Sequence, residues 1–321
     1  MNIDLAESKP ELSVVVVILT GRKDCLSRCL EALTHRRSAS APEIIVPCDD
    51  SASDLLLLGE EFPEVEFLRV KGIRTYAELR AIGVRESQGR IVALTEDHCT
   101  ARPDWCAQIL RAHEAPYAVI GGAVDKKSPD SALNWAMYLA DYLRYMNPVP
   151  EGPANHLTDC NVTYKRASLD SIPDVWTEEF HEPVVHRALQ ARDELLWLDP
   201  EIVVYQQRSI DLKAAIRDRY AFGRLFACTR AADFSAMQRL FYCLLSILLP
   251  AVLVGRVAMH VVRKRRCTGE FIRSLPYLIL ISTVWACGES LGYVTGRAEK
   301  SLTPKAQRAE SISRSSHEAI I

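Results

Sequence analysis

The stretch "LTEDHCTARPDW", residues 94–105, ends an apolar run with Glu96, Asp97 and His98, three consecutive side chains that bind cations or protons. Carboxylates at a strand end can hold a hard divalent cation, which in turn neutralises a diphosphate. A second acidic turn, Asp49 and Asp50 in "CDDSASD", follows another apolar run. Each cluster also has a plainer use. Asp49 and Asp50 suit the N-cap of a helix over Ser51–Glu60, and Glu96–His98 suit a solvated strand end.

The elements that carry these residues decide between the two uses. From Ser13 onward, short β-branched runs alternate with longer helical patterns: "SVVVVIL", a helix over Asp24–His35, "EIIVPC", a helix over Ser51–Glu60, then "VEFLRV". The series continues with a helix over Thr75–Ser87, a strand over Arg90–Thr95, a helix over Pro103–His113 opened by its Pro, and "YAVIGGAV" as a strand. Continuous apolar runs separated by helices predict an α/β fold, a doubly wound, mostly parallel sheet with helices on both faces. In such sheets ligands gather at the carboxyl ends of the strands, where Asp49, Asp50 and Glu96–His98 all fall. The middle of the chain, about Pro129–Arg208, is less regular. There "LTDCNVTYKR" predicts a strand, "EEFHEPVVHRALQARD" a helix with His181 and Glu182 near its start, and "PEIVVYQQR" a last strand. An amphipathic helix over Ile210–Ala232 follows, with Arg and Lys along one side.

The formal net charge is −2, and no Lys/Arg stripe stands out in the first two hundred residues, which excludes a general nucleic-acid binder. Ten scattered cysteines suit reduced thiols better than a disulfide framework. Cys25 and Cys29, with His35 beyond, have half the make-up of a zinc site; two small residues on one helix face is the blander reading. "MNIDLAESKP" is acidic and polar, unlike a secretory signal. Leu240–Gly255 and Leu275–Gly288 are uncharged, each shorter than the roughly 20 residues of a perpendicular span, and "RKRRCTGEFIR" links them. A membrane-associated hairpin is expected. Two full spans would push the basic link away from the cytoplasm, against the positive-inside tendency, so a re-entrant or interfacial pair holding that link at anionic headgroups is the favoured form.

The order of motifs resembles family 2 glycosyltransferases with the GT-A fold. The resemblance covers about Ser13–Arg230 and rests on "VVVVILTGR", "CDDSASD", "ELRAIGVRESQGR" and "TEDH". It implies that Thr20, Asp49, Asp50, Arg80, Glu96 and Asp97 bind a nucleoside diphosphate-sugar donor, with Arg80 approaching the pyrophosphate or base. It implies that Glu96 and His98 hold a divalent cation, Mn²⁺ or Mg²⁺. The imidazole at position 98, where the family has an acid, favours Mn²⁺. Asp97 is the middle residue and is expected to matter less than Glu96 and His98, both expected outside the core. On the acceptor side the resemblance makes Glu182 the general base with His181 as its competitor, and the family's late His is Gln206 here.

The organisation implied is an N-terminal extension (1–12), a nucleotide-sugar-binding half (13–128), an acceptor-side half (129–232), the hairpin (233–297) and a disordered tail (298–321). The activity implied is inverting, hexosyl-type transfer to an acceptor hydroxyl on a lipid-linked or envelope glycan. Membrane lipids are the further partner, and the catalytic domain is expected on the cytoplasmic face, as at a bacterial inner membrane. Two rivals stand beside this: a non-catalytic scaffold binding nucleotide-sugar or lipid, suggested by His98 and Gln206, and a nucleotidyltransferase. The latter should carry a Gly-rich basic loop after the first strand, where "LTGRKDC" offers only Gly21, Arg22 and Lys23.

Overall fold

A computed structural model of the chain describes residues 9–34, 41–127, 129–231 and 234–296. The expected tail 298–321, most of the N-terminal extension and His35 lie outside the described residues. The chain divides into two compact units, Met1–Val124 with Val149–Gln207, and Asp125–Pro148 with Arg208–Ile321.

The first unit is built on a sheet of β1 (Leu12–Val17), β2 (Glu43–Asp49), β3 (Val65–Val70), β4 (Ile91–Glu96), β5 (Cys99–Ala101), β6 (Val119–Asp125), β7 (Gly152–Pro153), β8 (Asn161–Lys165) and β9 (Leu196–Gln206). The strand order is β3-β2-β1-β4-β8-β6-β9-β5, with β7 paired to β9. Helices α1 (Lys23–Thr34), α2 (Tyr76–Glu86) and α3 (Trp105–Ala112) lie between strands of this unit. The second unit takes α4 (Ala132–Asp141), and the first resumes with α5 (Arg166–Asp170), α6 (Pro173–Trp176) and α7 (Glu182–Gln190).

The expected parallel arrangement holds for β3-β2-β1-β4, whose ladders are all parallel. All six residues of β1 and of β4 are buried, which explains their unbroken apolar runs. The connection through α1 steps outward from β1 to β2 and the one through α2 steps back from β3 past β2 and β1 to β4, so the right-handed rule for parallel crossovers assigns the two helices to opposite faces. Beyond β4 the sheet turns antiparallel, with β8 paired to both β4 and β6. Thr95 faces Asn161 in that register, so the carboxyl end of β4 meets the beginning of β8. The segment predicted as a helix over Ser51–Glu60 is a 3-10 stretch, Asp50–Glu60, with a break at Ala52.

The antiparallel half is braced by one buried amide. Asn161 donates through Nδ2 to the carbonyls of Ala123 (2.8 Å) and Ile202 (2.9 Å), and its Oδ1 accepts from the Trp105 indole (2.9 Å). Gly122 makes room for this brace: a Cβ there would stand 2.0 Å from the Ile202 carbonyl oxygen and 2.3 Å from the Asn161 amide.

The second unit is helical, with α8 (Leu212–Arg230), α9 (Ala236–Leu245), α10 (Leu249–Lys264) and α11 (Thr268–Thr295) beside α4. The uncharged stretches seen in the sequence sit inside longer helices. Ala236–Lys264, which includes a 3-10 turn at Ser246–Leu248, and Thr268–Thr295 run 29 and 28 residues, and both are long and apolar enough to cross a membrane. Glu289 does not end α11, because the Trp285 indole and the Tyr293 hydroxyl donate to its carboxylate at 2.9 and 3.1 Å.

Replacing Asn161 with Leu strands two carbonyls and an indole N–H, each costing about 1–3 kcal/mol when buried unpaired. The expected result is a loss of several kcal/mol in urea unfolding followed by tryptophan fluorescence; an unchanged midpoint would show that the brace is not structural.

Candidate active site

The site centres on Arg80, which is 1% exposed. Its helix, α2, opens with a capping box in which Thr75 accepts from the Glu78 amide and the Glu78 side chain accepts from the Thr75 amide. Gly83, one turn on from Arg80, lets α2 press against the sheet, since a Cβ there would meet Val15 at 2.4 Å and Pro47 at 3.1 Å. The guanidinium thereby reaches the carboxyl end of β4. Nη2 of Arg80 donates to Glu96 Oε1 (2.8 Å) and to Asp159 Oδ2 (3.0 Å), and Nη1 lies 2.5 Å from Glu182 Oε1.

Three different elements supply the three carboxylates. Glu96 is the last residue of β4. Asp159 stands in the turn before β8 and is brought beside Glu96 by the antiparallel register, which the Thr95 hydroxyl reinforces by donating to the Cys160 carbonyl at 3.0 Å. Glu182 opens α7, whose buried positions Glu182, Val185, His186 and Leu189 fall on one helical stripe. The segment before α7 is tied to α2: the Phe180 amide donates to the Ala77 carbonyl (2.9 Å) and Arg85 donates to the Thr177 carbonyl (2.9 Å).

One buried cation facing three acids leaves a deficit of positive charge, and protons relieve it. Burial, reinforced by Asp159 and opposed by Arg80, raises the Glu96 carboxyl well above the usual carboxylate range. Burial likewise pushes Glu182 up to about 7, with Arg80 pulling the other way. Burial disfavours the charge on Arg80, yet the three carboxylates hold its pKa above the ordinary arginine value.

The other acids predicted for the site serve as backbone clasps. Asp97 is fully buried, and it accepts from the amides of Leu19 (3.1 Å) and Thr20 (3.0 Å) and from the Thr20 hydroxyl (2.5 Å). This fixes the turn after β1. Asp49 accepts from the Ser51 amide and hydroxyl through one oxygen and from the Arg74 amide (2.9 Å) through the other, so it caps the 3-10 stretch as the plainer reading expected. Asp50 is exposed and accepts from the Gly72 amide at 2.8 Å. Both acids therefore hold the loop between β3 and α2.

Glu96 and His98, expected outside the core, are 1% and 2% exposed. They do lie together, with His98 Nε2 3.5 Å from Glu96 Oε2. As a metal site they do not fit: Arg80 already holds Glu96, Asp97 is spent on the β1 turn, and among the described residues no group of three His, Cys, Asp or Glu side chains is arranged to hold a metal. Cys25 and Cys29 lie on the buried face of α1, and all ten cysteines are free thiols.

His181 stands one residue before α7, its Nε2 2.9 Å from Glu179 Oε2. Gln206 pairs with Cys99 across β5 and β9, next in sequence to His98. Asp159 was missed from the sequence. Its only local signal is an acid in a turn just ahead of a strand, "LTDCNV".

Residues 13–172 match the family model described as "Glycosyl transferase family 2". Among solved structures, the mannosyltransferase PcManGT from Pyrobaculum calidifontis, in complex with GDP-Man and Mn2+, aligns at 12% identity with a TM-score of 0.48, covering 96% of this chain and 86% of that one. No curated protein matches the chain.

Arg80→Met leaves three acids without their cation and is expected to cost about 3–5 kcal/mol in chemical denaturation, as removal of one partner of a buried ion pair does. Adding Glu182→Gln to Arg80→Met should recover part of that loss. Additive losses in the double variant would mean that the two side chains do not act on each other.

Proposed function

Because residues 13–172 belong to glycosyl transferase family 2, we propose that the Arg80 cluster is the catalytic centre for moving a sugar from a nucleoside diphosphate donor to an acceptor hydroxyl. The observation that carries this reading is the pairing of Glu182, a carboxylate pushed up to about 7, with a buried arginine at the carboxyl ends of the strands. A general base works best with a pKa near the working pH, and burial brings this acid there. In the step itself the acceptor oxygen attacks the anomeric carbon while its proton passes to Glu182. The bond from that carbon to the diphosphate oxygen breaks, and the nucleoside diphosphate leaves with the bonding electrons. A single displacement of this kind inverts the anomeric centre.

Arg80 acts here as a positioning residue rather than as a ligand of the leaving group, because its guanidinium is committed to Glu96, Asp159 and Glu182. Asp49 and Asp50 shape the loop that meets the base and ribose, while Thr20 and Asp97 shape the turn beside the diphosphate. The acceptor is a lipid-linked or envelope glycan at the cytoplasmic membrane face. Two helices long and apolar enough to cross a membrane support that choice.

A second reading keeps the chemistry and moves the base. Glu179 orients His181 at 2.9 Å, and the His181 side chain is more exposed than that of Glu182, 16% against 2%. With Glu182 as the base the rate rises through about pH 7, because the base is inactive while protonated.

Glu182→Gln is expected to lower kcat by about 10²–10⁴ and leave donor affinity within a few-fold, measured by steady-state kinetics and calorimetry with nucleoside diphosphate-sugars. The temperature dependence of the acid limb in the wild type then assigns it, since a carboxyl ionises with little enthalpy and an imidazole with much. Near-normal turnover in Glu182→Gln beside a dead His181→Ala variant would transfer the role to His181.

A further inference from the structure

In the second unit, α9 and the turn after it present Met237, Leu240, Phe241, Leu244, Ile247 and Leu248 outward, each 55–75% exposed. This is a contiguous apolar face of a size that soluble surfaces rarely leave uncovered. The helix carrying it, Ala236–Lys264, has a mean hydropathy of 2.1 over its most apolar window, of which only 11% is buried. Long helices of this composition fit lipid better than a protein partner, whose interface would call for interspersed polar groups.

The remaining contacts of the unit say how that face meets lipid. Two of the four residues of the basic run Arg263–Arg266, expected at headgroups, are held by protein, while Arg263 and Arg265 are exposed. Lys264 Nζ donates to the carbonyls of Met146 (2.6 Å) and Pro148 (2.8 Å), and Arg266 donates to the Asn147 carbonyl (2.6 Å) and lies 3.3 Å from Asp125. At the start of α11, Arg273 donates to the Asp130 carbonyl (3.0 Å). The turn between α10 and α11 is thus fastened to the segments flanking α4.

Farther along, α11 is locked to α8 through glycines. A Cβ at Gly223 would lie 2.3 Å from the Trp285 carbonyl oxygen, one at Gly288 2.2 Å from that of Tyr220, and one at Gly292 2.5 Å from that of Arg224. From Tyr220 beside Gly288 to Arg224 beside Gly292 both helices advance by four residues, so α8 lies parallel to α11 there. Arg217, Asp218, Arg219 and Arg224 come with it, and Arg219 is paired with Asp141 of α4 at 2.7 Å. If α11 crossed a bilayer, these charges would be dragged into or against the hydrocarbon.

We propose that the second unit is monotopic: it lies in one leaflet with the α9 face and the following turn in the acyl region, α8 and α4 toward water, and the turn of the α10–α11 hairpin on the same side of the membrane as its open end. Charged α8 on one side and apolar α9 on the other are the two surfaces of an interfacial helical layer.

Two measurements on the full chain test this. In flotation with phosphatidylcholine vesicles, with and without phosphatidylglycerol, the wild type should float, and Phe241→Glu with Ile247→Glu should lower the membrane-bound fraction at least ten-fold at an unchanged unfolding temperature. Binding that is unaffected by the pair, or a wild type that does not float, overturns the proposal. Independently of those variants, Thr229→Cys and Thr268→Cys, both exposed sites, are labelled in sealed vesicles with an impermeant maleimide and resolved from native cysteines by peptide mapping. Equal labelling from one side is the expected result. Labelling of the two sites from opposite sides would establish a spanning hairpin and overturn the proposal.

Discussion

One guanidinium organises the first unit. Arg80 sits between Glu96 of β4, Asp159 of the turn before β8 and Glu182 of α7, and it is almost wholly out of water. Burying so many charges costs several kcal/mol per ion, recovered only if the geometry is good and the excess negative charge is moderated. The upward displacement of Glu96 and Glu182 is that moderation: the carboxyls take up protons that exposed acids would have lost. Because a single cation serves all three acids, the strand end and α7 are electrostatically linked. A change of charge at one is felt at the others.

That arrangement depends on a close approach between helix and sheet. Gly83 permits it, and the Thr75–Glu78 box fixes where α2 begins, so Arg80 arrives at the level of the β4 carboxyl end. The amide of Phe180 and the side chain of Arg85 then tie the segment before α7 to α2. The polar cluster contributes placement more than stability, since an apolar core of equal volume would be at least as stable. Specific placement is what the proposed proton transfer to Glu182 requires.

Acids whose sequence context suggests ligands have been put to other uses. Asp97 and Asp49 spend their oxygens on amides of neighbouring loops, which makes each turn at the strand ends rigid before anything binds. In the helical unit Gly223, Gly288 and Gly292 bring the α8 and α11 backbones together, and the buried acid of α11, Glu289, accepts from Trp285 and Tyr293 of the same helix.

The α/β order, a helix beginning near Thr75, a helix carrying Glu182 near its start and the gathering of acids at strand ends were all legible in the sequence, because each follows from local pattern: β-branched runs and spacing at the helical or strand period. The length of the apolar helices was underestimated, since Glu289 interrupts the hydropathy but not the backbone once its carboxylate is satisfied one turn away in each direction. Partnership was not legible. Arg80 and Asp159 are 79 residues apart and meet only because β4 and β8 pair antiparallel with Thr95 opposite Asn161. Whether Asp97 is a ligand or a clasp depends in the same way on the β1 turn lying across from it, 77 residues distant. Periodicity records which side of an element is buried; it carries no record of which distant residue will be buried against it, and that is set by sheet register and helix docking.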